Sequence, residues 1–266
     1  MEAIKLLILS IVQGISELLP ISSSAHLIIT SELLHTNPST LLLTTFHIGT
    51  SLAILAFFAK KLFKNFFTKE KWLFYIKIGV SIIPAGILGV LFESKIENIL
   101  RANWIMALSL IFWGVLMIFA QRVKLGEKDH DWEKITWKQS LLMGCAQAIA
   151  LVPGTSRSGV TTLAGIALGL DQYTALSYSF ILGLPILLGS SVWEIAKALI
   201  ANPAELYHFS DANIYINGFI IIVIPFIFGI VALMLLDKMK REKWLLTFGI
   251  YRIIVGVAIL LLTYVL

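Results

Sequence analysis

The chain has 266 residues, 58% of them hydrophobic and only 14% charged, with a formal net charge of +5. Soluble domains carry about 25% charged residues, and the long apolar runs here have no polar face, so a polytopic membrane protein is predicted and a soluble α/β enzyme excluded. A single cysteine, Cys145, excludes an intrachain disulfide and metal-cluster spacing, and it is expected to act as a small buried hydrophobe.

In chain order, the first apolar run leads into QGISELLPISSSAH, Gln13 to His26. The run loosely mimics a cleavable signal peptide, but Gln13 and Glu17 interrupt it and Glu2 sits in the n-region, so cleavage is not expected. Gln13 and Glu17 are four apart and share one helix face. Pro20 lacks an N–H and breaks the helix. Ser22, Ser23 and Ser24 can satisfy the backbone groups freed there or bind a ligand. The pattern predicts helix, break, helix over 3–31.

Six stretches are long and apolar enough to span a bilayer: 41–59, 73–92, 104–121, 174–200, 216–236 and 247–265. A second interrupted stretch, 139–168, centres on Pro153-Gly154. Segments 60–72, 122–138 and 237–246 hold 14 of the chain's 21 Lys and Arg, while 93–103 holds two and 201–215 none. Lys and Arg mark cytoplasmic loops. The three rich segments share one side only if 3–31 and 139–168 each return to the side they left. The prediction is an all-α polytopic membrane protein with both termini outside. Its single domain, 1–266, is an inverted-topology repeat of halves 1–121 and 139–266. Each half is a re-entrant helical hairpin followed by three transmembrane helices. Gln13…Pro20-x-Ser-Ser-Ser pairs with Gln147…Pro153-x-x-Ser-Arg-Ser, with one residue of slip. Such repeats carry central sites at broken helices in transporters, so transport of a lipid or a small anion stays open as a function.

The second break reads PGTSRSGVTT, Pro153 to Thr162. Gly154 and Gly159 permit close backbone approach. Thr155, Ser156, Ser158, Thr161 and Thr162 supply hydroxyls, and Arg157 supplies a planar fork for phosphate oxygens. An intramembrane Arg is costly, about 2.5–3.5 kcal/mol on insertion scales, so it needs an anionic partner: Glu17 or a ligand. Glu17 and Gln13 can hold a hard divalent cation through oxygen, Mg²⁺ or Ca²⁺. His26 can serve as general acid or base, and Ser23 can attack phosphorus if a base takes its proton. Direct attack by water competes with Ser23. The plainer alternatives are a structural Glu17–Arg157 ion pair, a satisfied core histidine at 26, and serines that bond only the helix break. The set suits phosphoryl transfer, where positioning and charge neutralisation do most of the work.

QGISELLPISSSAHL resembles the (E/Q)xxxE–PxSSxxH region of the bacterial undecaprenyl-diphosphate phosphatases, the bacitracin-resistance type. PGTSRSGVTT resembles that family's PGxSRSxxT signature, and GIYRIIVG, with Tyr251-Arg252, is also similar. The resemblance covers essentially the whole chain. It implies an enzyme of the bacterial cytoplasmic (inner) membrane, with its site near the outer leaflet, that hydrolyses the lipid carrier's diphosphate to the monophosphate during cell-wall synthesis. By that likeness Gln13 and Glu17 form the acidic pair, and Ser22, Ser23 and His26 the serine–histidine region. Gly154, Ser156, Arg157 and Thr161 then form the phosphate-binding break. Position 13 is Gln where many members carry Glu, and an amide is the weaker metal ligand. The partners implied are a polyprenyl diphosphate and membrane lipid, with a homodimer left open; no nucleic acid is expected.

Elsewhere, His47 is expected to line the site or simply to pack. Lys77 and Arg252 are expected to snorkel from span ends. Glu194 and Lys197 are expected to pair, and Asp171 to sit in a loop or cap. Most of the seven Trp and sixteen Phe are expected to face lipid or the interfacial belts.

Overall fold

The computed structural model describes residues 3–95, 102–123, 131–201, 214–239 and 243–265, all helix or connecting turn with no strand among them. Among these residues ten α-helices follow in order: α1 (Ala3–Leu18), α2 (Ser23–Leu33), α3 (Thr40–Phe63), α4 (Lys69–Lys95), α5 (Asn103–Ala120), α6 (Trp137–Gln147), α7 (Arg157–Ala167), α8 (Gln172–Ala201), α9 (Ile214–Met239) and α10 (Trp244–Val265). Helices α3, α4, α5, α8, α9 and α10 are each long and apolar enough to cross a membrane. Each coincides with one of the six expected spans. Ile87, Leu91, Phe112, Leu199 and Leu261 are all more than half exposed. In water such a girdle would drive association; in lipid it is the solvent-facing surface.

Both interrupted stretches are broken where expected. α1 ends at Leu18, Leu19–Ser22 turn, and α2 begins at Ser23. α6 ends at Gln147, a short 3-10 turn covers Ala148–Leu151, and α7 begins at Arg157. The inward face of α1 explains its position. Leu6, Leu9, Ser10, Gln13, Gly14, Ser16 and Glu17 are all buried, at the three-and-four spacing of one helix face. That face packs on α9 and more lightly on α3. Close approach comes from small residues: a Cβ on Gly14 would lie 3.0 Å from the Pro225 carbonyl oxygen, and one on Gly49 2.3 Å from that of Ile222. Tight helix contact through glycine is a membrane-protein device, since no hydrophobic effect drives helices together in lipid.

One end of the bundle gathers the Lys-rich segments. Lys71 Nζ donates to Glu133 at 2.9 Å and to the Lys61 carbonyl at 2.8 Å, and Lys61 lies 3.6 Å from Asp131. Leu62, Ile135, Leu236 and Trp244 share one buried cluster there. Lys124 and Lys128, Lys240 and Arg241, and most of 93–103 and 201–215 lie outside the described residues.

Several expectations are corrected. Arg252 does not snorkel: it is fully buried at the two breaks. Lys77 is buried as well, its ammonium donating to the Ile135 carbonyl at 2.6 Å. Cys145 is exposed, because the α6 face that packs on α4 is the adjacent one carrying Gly144. Trp72, Trp104, Trp137 and Trp193 are exposed as expected, but Trp244, Phe46, Phe74 and Phe180 are core residues. Glu194 and Lys197 do pair, at 2.7 Å. Asp171 caps α8, accepting from the Thr174 N–H at 2.9 Å.

Candidate active site

The two breaks meet, and Glu17 lies where they do. At the last turn of α1 it is almost fully buried. Its Oε1 accepts from Arg157 Nη2 at 3.2 Å. Its Oε2 accepts from Ser23 Oγ at 2.5 Å and from Gln13 Nε2 at 3.2 Å. His47 Nε2 lies 3.8 Å from the same oxygen, so His47 belongs to the site. Its Nδ1 meets Ser190 Oγ of α8 at 3.4 Å. Ser190 in turn lines an apolar cavity of about 660 Å³ between α4 and α8, with Ile82, Gly86, Pro185, Gly189 and Trp193.

The break geometry puts Ser23 on the carboxylate. Pro20 stops α1, and Ser22 takes φ 76° to turn the chain back into α2. A positive φ is uncommon for a residue with a Cβ and concentrates at functional turns. Six residues after Glu17, the Ser23 hydroxyl then faces it across the turn. Ser24 reaches the other break, accepting from the Gly154 N–H at 3.5 Å. Ser22 spends its hydroxyl on Ser24 at 3.1 Å. The freed backbone groups are met chiefly by Arg252 instead of serines. Its Nη1 donates to the Pro20 carbonyl at 3.1 Å, and its Nη2 to those of Gly154 and Thr155 at 2.7 and 2.9 Å.

In the second break Ser156 also has a positive φ, 69°, and its hydroxyl caps α7 by accepting from the Gly159 N–H at 3.3 Å. Gly154, at φ 87°, runs so close to α5 that a Cβ would sit 2.4 Å from the Met106 carbonyl oxygen. Arg157 Nη1 donates to the Ser179 carbonyl at 3.0 Å, while its Nε is buried with no partner. Thr161 is fully buried; its hydroxyl donates to the Arg157 carbonyl at 2.7 Å and meets that of Ser179 at 2.5 Å. It therefore supports the arginine's backbone. Gly183 of α8 makes room for the guanidinium: an added Cβ would lie 1.6 Å from Arg157 Nη1. His26 stands apart from the carboxylate. Its Nδ1 is 2.7 Å from the Ser22 carbonyl and its Nε2 is 2.7 Å from Tyr251 Oη.

Thus Gln13, Ser23 and Arg157 meet on Glu17, His26 lies apart from them beside Tyr251, and Ser22, Gly154 and Ser156 form the turns. His47, Ser179, Gly183, Tyr251 and Arg252 join them. Of these, Arg252 carries a sequence signal: it is the one charged residue in the apolar run 244–266, and an intramembrane charge marks function by default. Gly183 carries none. For a divalent cation, the available donors are Glu17 Oε2, Ser23 Oγ and Gln13 Oε1. The last is a buried acceptor without a partner. Gln13 turns its Nε2 toward Glu17, so a hard cation shared with the carboxylate would need the amide turned over to present Oε1.

Six membrane-length helices around a buried carboxylate–serine–arginine cluster define a multi-pass membrane protein with a site suited to phosphorylated ligands. The family model described as bacitracin resistance protein BacA matches residues 6–258, and the chain belongs to that family. Among its relatives, the undecaprenyl-diphosphatase of Thermodesulfovibrio yellowstonii is 38% identical, covering 98% of this chain and 97% of its own. Undecaprenyl-diphosphatase 1 of Clostridioides difficile is 34% identical over 98% and 96%, and the Corynebacterium glutamicum undecaprenyl-diphosphatase 36% over 97% and 90%.

Proposed function

We propose that this chain is a membrane phosphatase that hydrolyses undecaprenyl diphosphate to undecaprenyl phosphate and inorganic phosphate. Family membership and the relatives' names support the reaction. The observation that carries it here is the double engagement of Glu17, by Ser23 on one oxygen and Arg157 on the other. Glu17 takes the Ser23 proton, and Oγ attacks the terminal phosphorus. The bridging P–O bond breaks and the lipid monophosphate leaves. Arg157 and the N–H groups opening α2 and α7 neutralise the charge that builds on phosphoryl oxygens. Water then cleaves the phosphoserine. The 2.5 Å Ser23–Glu17 bond favours this route over direct attack by water. Mg²⁺ or Ca²⁺ on Glu17, Gln13 and Ser23 would add countercharge for the diphosphate. The apolar cavity behind Ser190 suits the polyprenyl chain.

The site belongs to an inverted repeat in this reading. Its support is that several helix packings exchange with the halves, while the close packing of α7 on α8 has no equal between α2 and α3. α1 packs on α9 as α6 packs on α4, α3 packs on α8, and α5 packs on α10. α1–α2 and α6–α7 are then re-entrant hairpins of an inner-membrane protein, with both termini and the site mouth outside. Meeting of the Lys-rich segments at one end supports a common cytoplasmic side. Cysteines introduced at 122–138 in a Cys145→Ser background should resist external reagents; labelling in intact cells would reverse the topology.

Detergent-purified protein should release phosphate from polyprenyl diphosphates. Chemistry needs no second compartment, so a protein that moves the lipid without releasing phosphate would refute the reading.

A further inference from the structure

Tyr251 and Arg252 are adjacent on α10, and neither has a part in the reaction above. Arg252 fixes this turn of α10 at both breaks through three carbonyls. Tyr251 is thereby held beside His26, with the two rings stacked 5.6 Å apart and 8° from parallel. The proton positions follow from the partners. A carbonyl only accepts, so His26 Nδ1 carries a hydrogen and donates to the Ser22 oxygen. In the neutral ring Nε2 is then the acceptor, and Tyr251 Oη donates to it at 2.7 Å. The phenol proton points at the histidine, leaving the oxygen's lone pairs facing outward. Tyr251 is 40% exposed, and the relay requires that this oxygen face the water of the site mouth and not lipid.

We infer that Tyr251 is a catalytic relay through which His26 takes the proton of the attacking water. The inference rests on the phosphatase reading and assigns its second half. Water's O–H bond breaks as its oxygen bonds phosphorus. That proton goes to Tyr251 Oη, and the phenol's own proton moves to His26 Nε2. The P–Oγ bond to Ser23 breaks, and Ser23 recovers its proton from Glu17. The imidazolium, held by the Ser22 carbonyl and the phenol oxygen, returns its proton to solvent as phosphate leaves. The two halves thus use different bases: Glu17 for the serine and His26 for the water.

Tyr251→Phe keeps the stacked ring and removes only the relaying hydroxyl. Its kcat should fall roughly 10- to 100-fold, within the range of general-base effects, with KM held within about twofold. Lipid monophosphate should appear as a burst, ahead of inorganic phosphate. Relay members act as a unit. The Tyr251→Phe/His26→Ala double variant should therefore be no slower than the slower single one. Wild-type kcat in Tyr251→Phe, or losses that multiply in the double variant, would overturn the relay. Should Tyr251→Phe not fold, 3,5-difluorotyrosine at 251 preserves shape while making the phenol more acidic: a changed kcat with unchanged KM supports the relay, and an unchanged kcat refutes it. A wild-type protein that releases no phosphate from any polyprenyl diphosphate fails the phosphatase reading itself. Phosphate release by wild type with no effect at Tyr251 fails only the relay.

Discussion

The breaks at Leu19–Ser22 and Val152–Ser156 use one backbone device for opposite ends. Each turns through a serine of positive φ, 76° at Ser22 and 69° at Ser156, immediately before a short helix. In the first, the serine side chain makes no cap bond, and the next residue sends its hydroxyl to a carboxylate. In the second, the serine caps its own helix, and the next residue is an arginine. One break presents a base and nucleophile, the other a phosphate fork. A repeated backbone supplies the frame, and the chemistry comes from which residue follows the turn.

The largest expected effect breaks the negative side. Glu17→Gln keeps size and leaves Arg157 its Ser179 bond, but removes the base. Turnover should fall about 10²–10⁴-fold while the variant still inserts, and excess divalent cation should not restore it. Thermal stability and phosphate release read on one sample check this, and a stable, active variant would return the chemistry to His26. Arg157→Lys breaks the positive side: an ammonium cannot reproduce the fork, and activity should drop at least about tenfold with folding intact. Near-normal turnover would leave only a point charge there. Gly183→Ala reaches the arginine indirectly. Its methyl would occupy the guanidinium's place, so we expect a stability loss of about 1–3 kcal/mol and a weaker response to any further change at Arg157, measured as an altered Tm and a raised KM. The smallest effect sharpens the comparison itself. Ser156→Ala loses a cap bond, about 1 kcal/mol, and Ser22→Ala should cost less because Ser22 caps nothing. Denaturation of both in one detergent compares them directly; equal losses would mean that the turns are held alike.

Much of this is legible in the sequence. Long apolar runs locate the six spans because a helix alone satisfies its backbone in lipid, and Pro20 and Pro153-Gly154 mark both breaks. Gln13, Glu17, Ser23, His26 and Arg157 stood out as polar groups in costly surroundings. Contacts between distant elements did not. Arg252 looked like a span-end cation because its distance to the Lys-rich segment is visible in sequence and its three carbonyls are not. His47 gave no sign of Glu17, 30 residues away. Thr161 looked like a ligand group, and its hydroxyl is spent on the arginine's own carbonyl and Ser179. Gly183 is invisible because what it does is leave space.

The Arg252 clamp also bears on how the protein is made. The carbonyls it holds belong to Pro20, Gly154 and Thr155, so 232 residues separate it from the first break and 98 from the second. Synthesis runs from the N-terminus, so both breaks leave the ribosome well before the helix that ties them. Until α10 is in place, the three carbonyls of the breaks wait for their donor. A nascent chain stalled before residue 252 therefore holds an unfinished site, and α10 completes it.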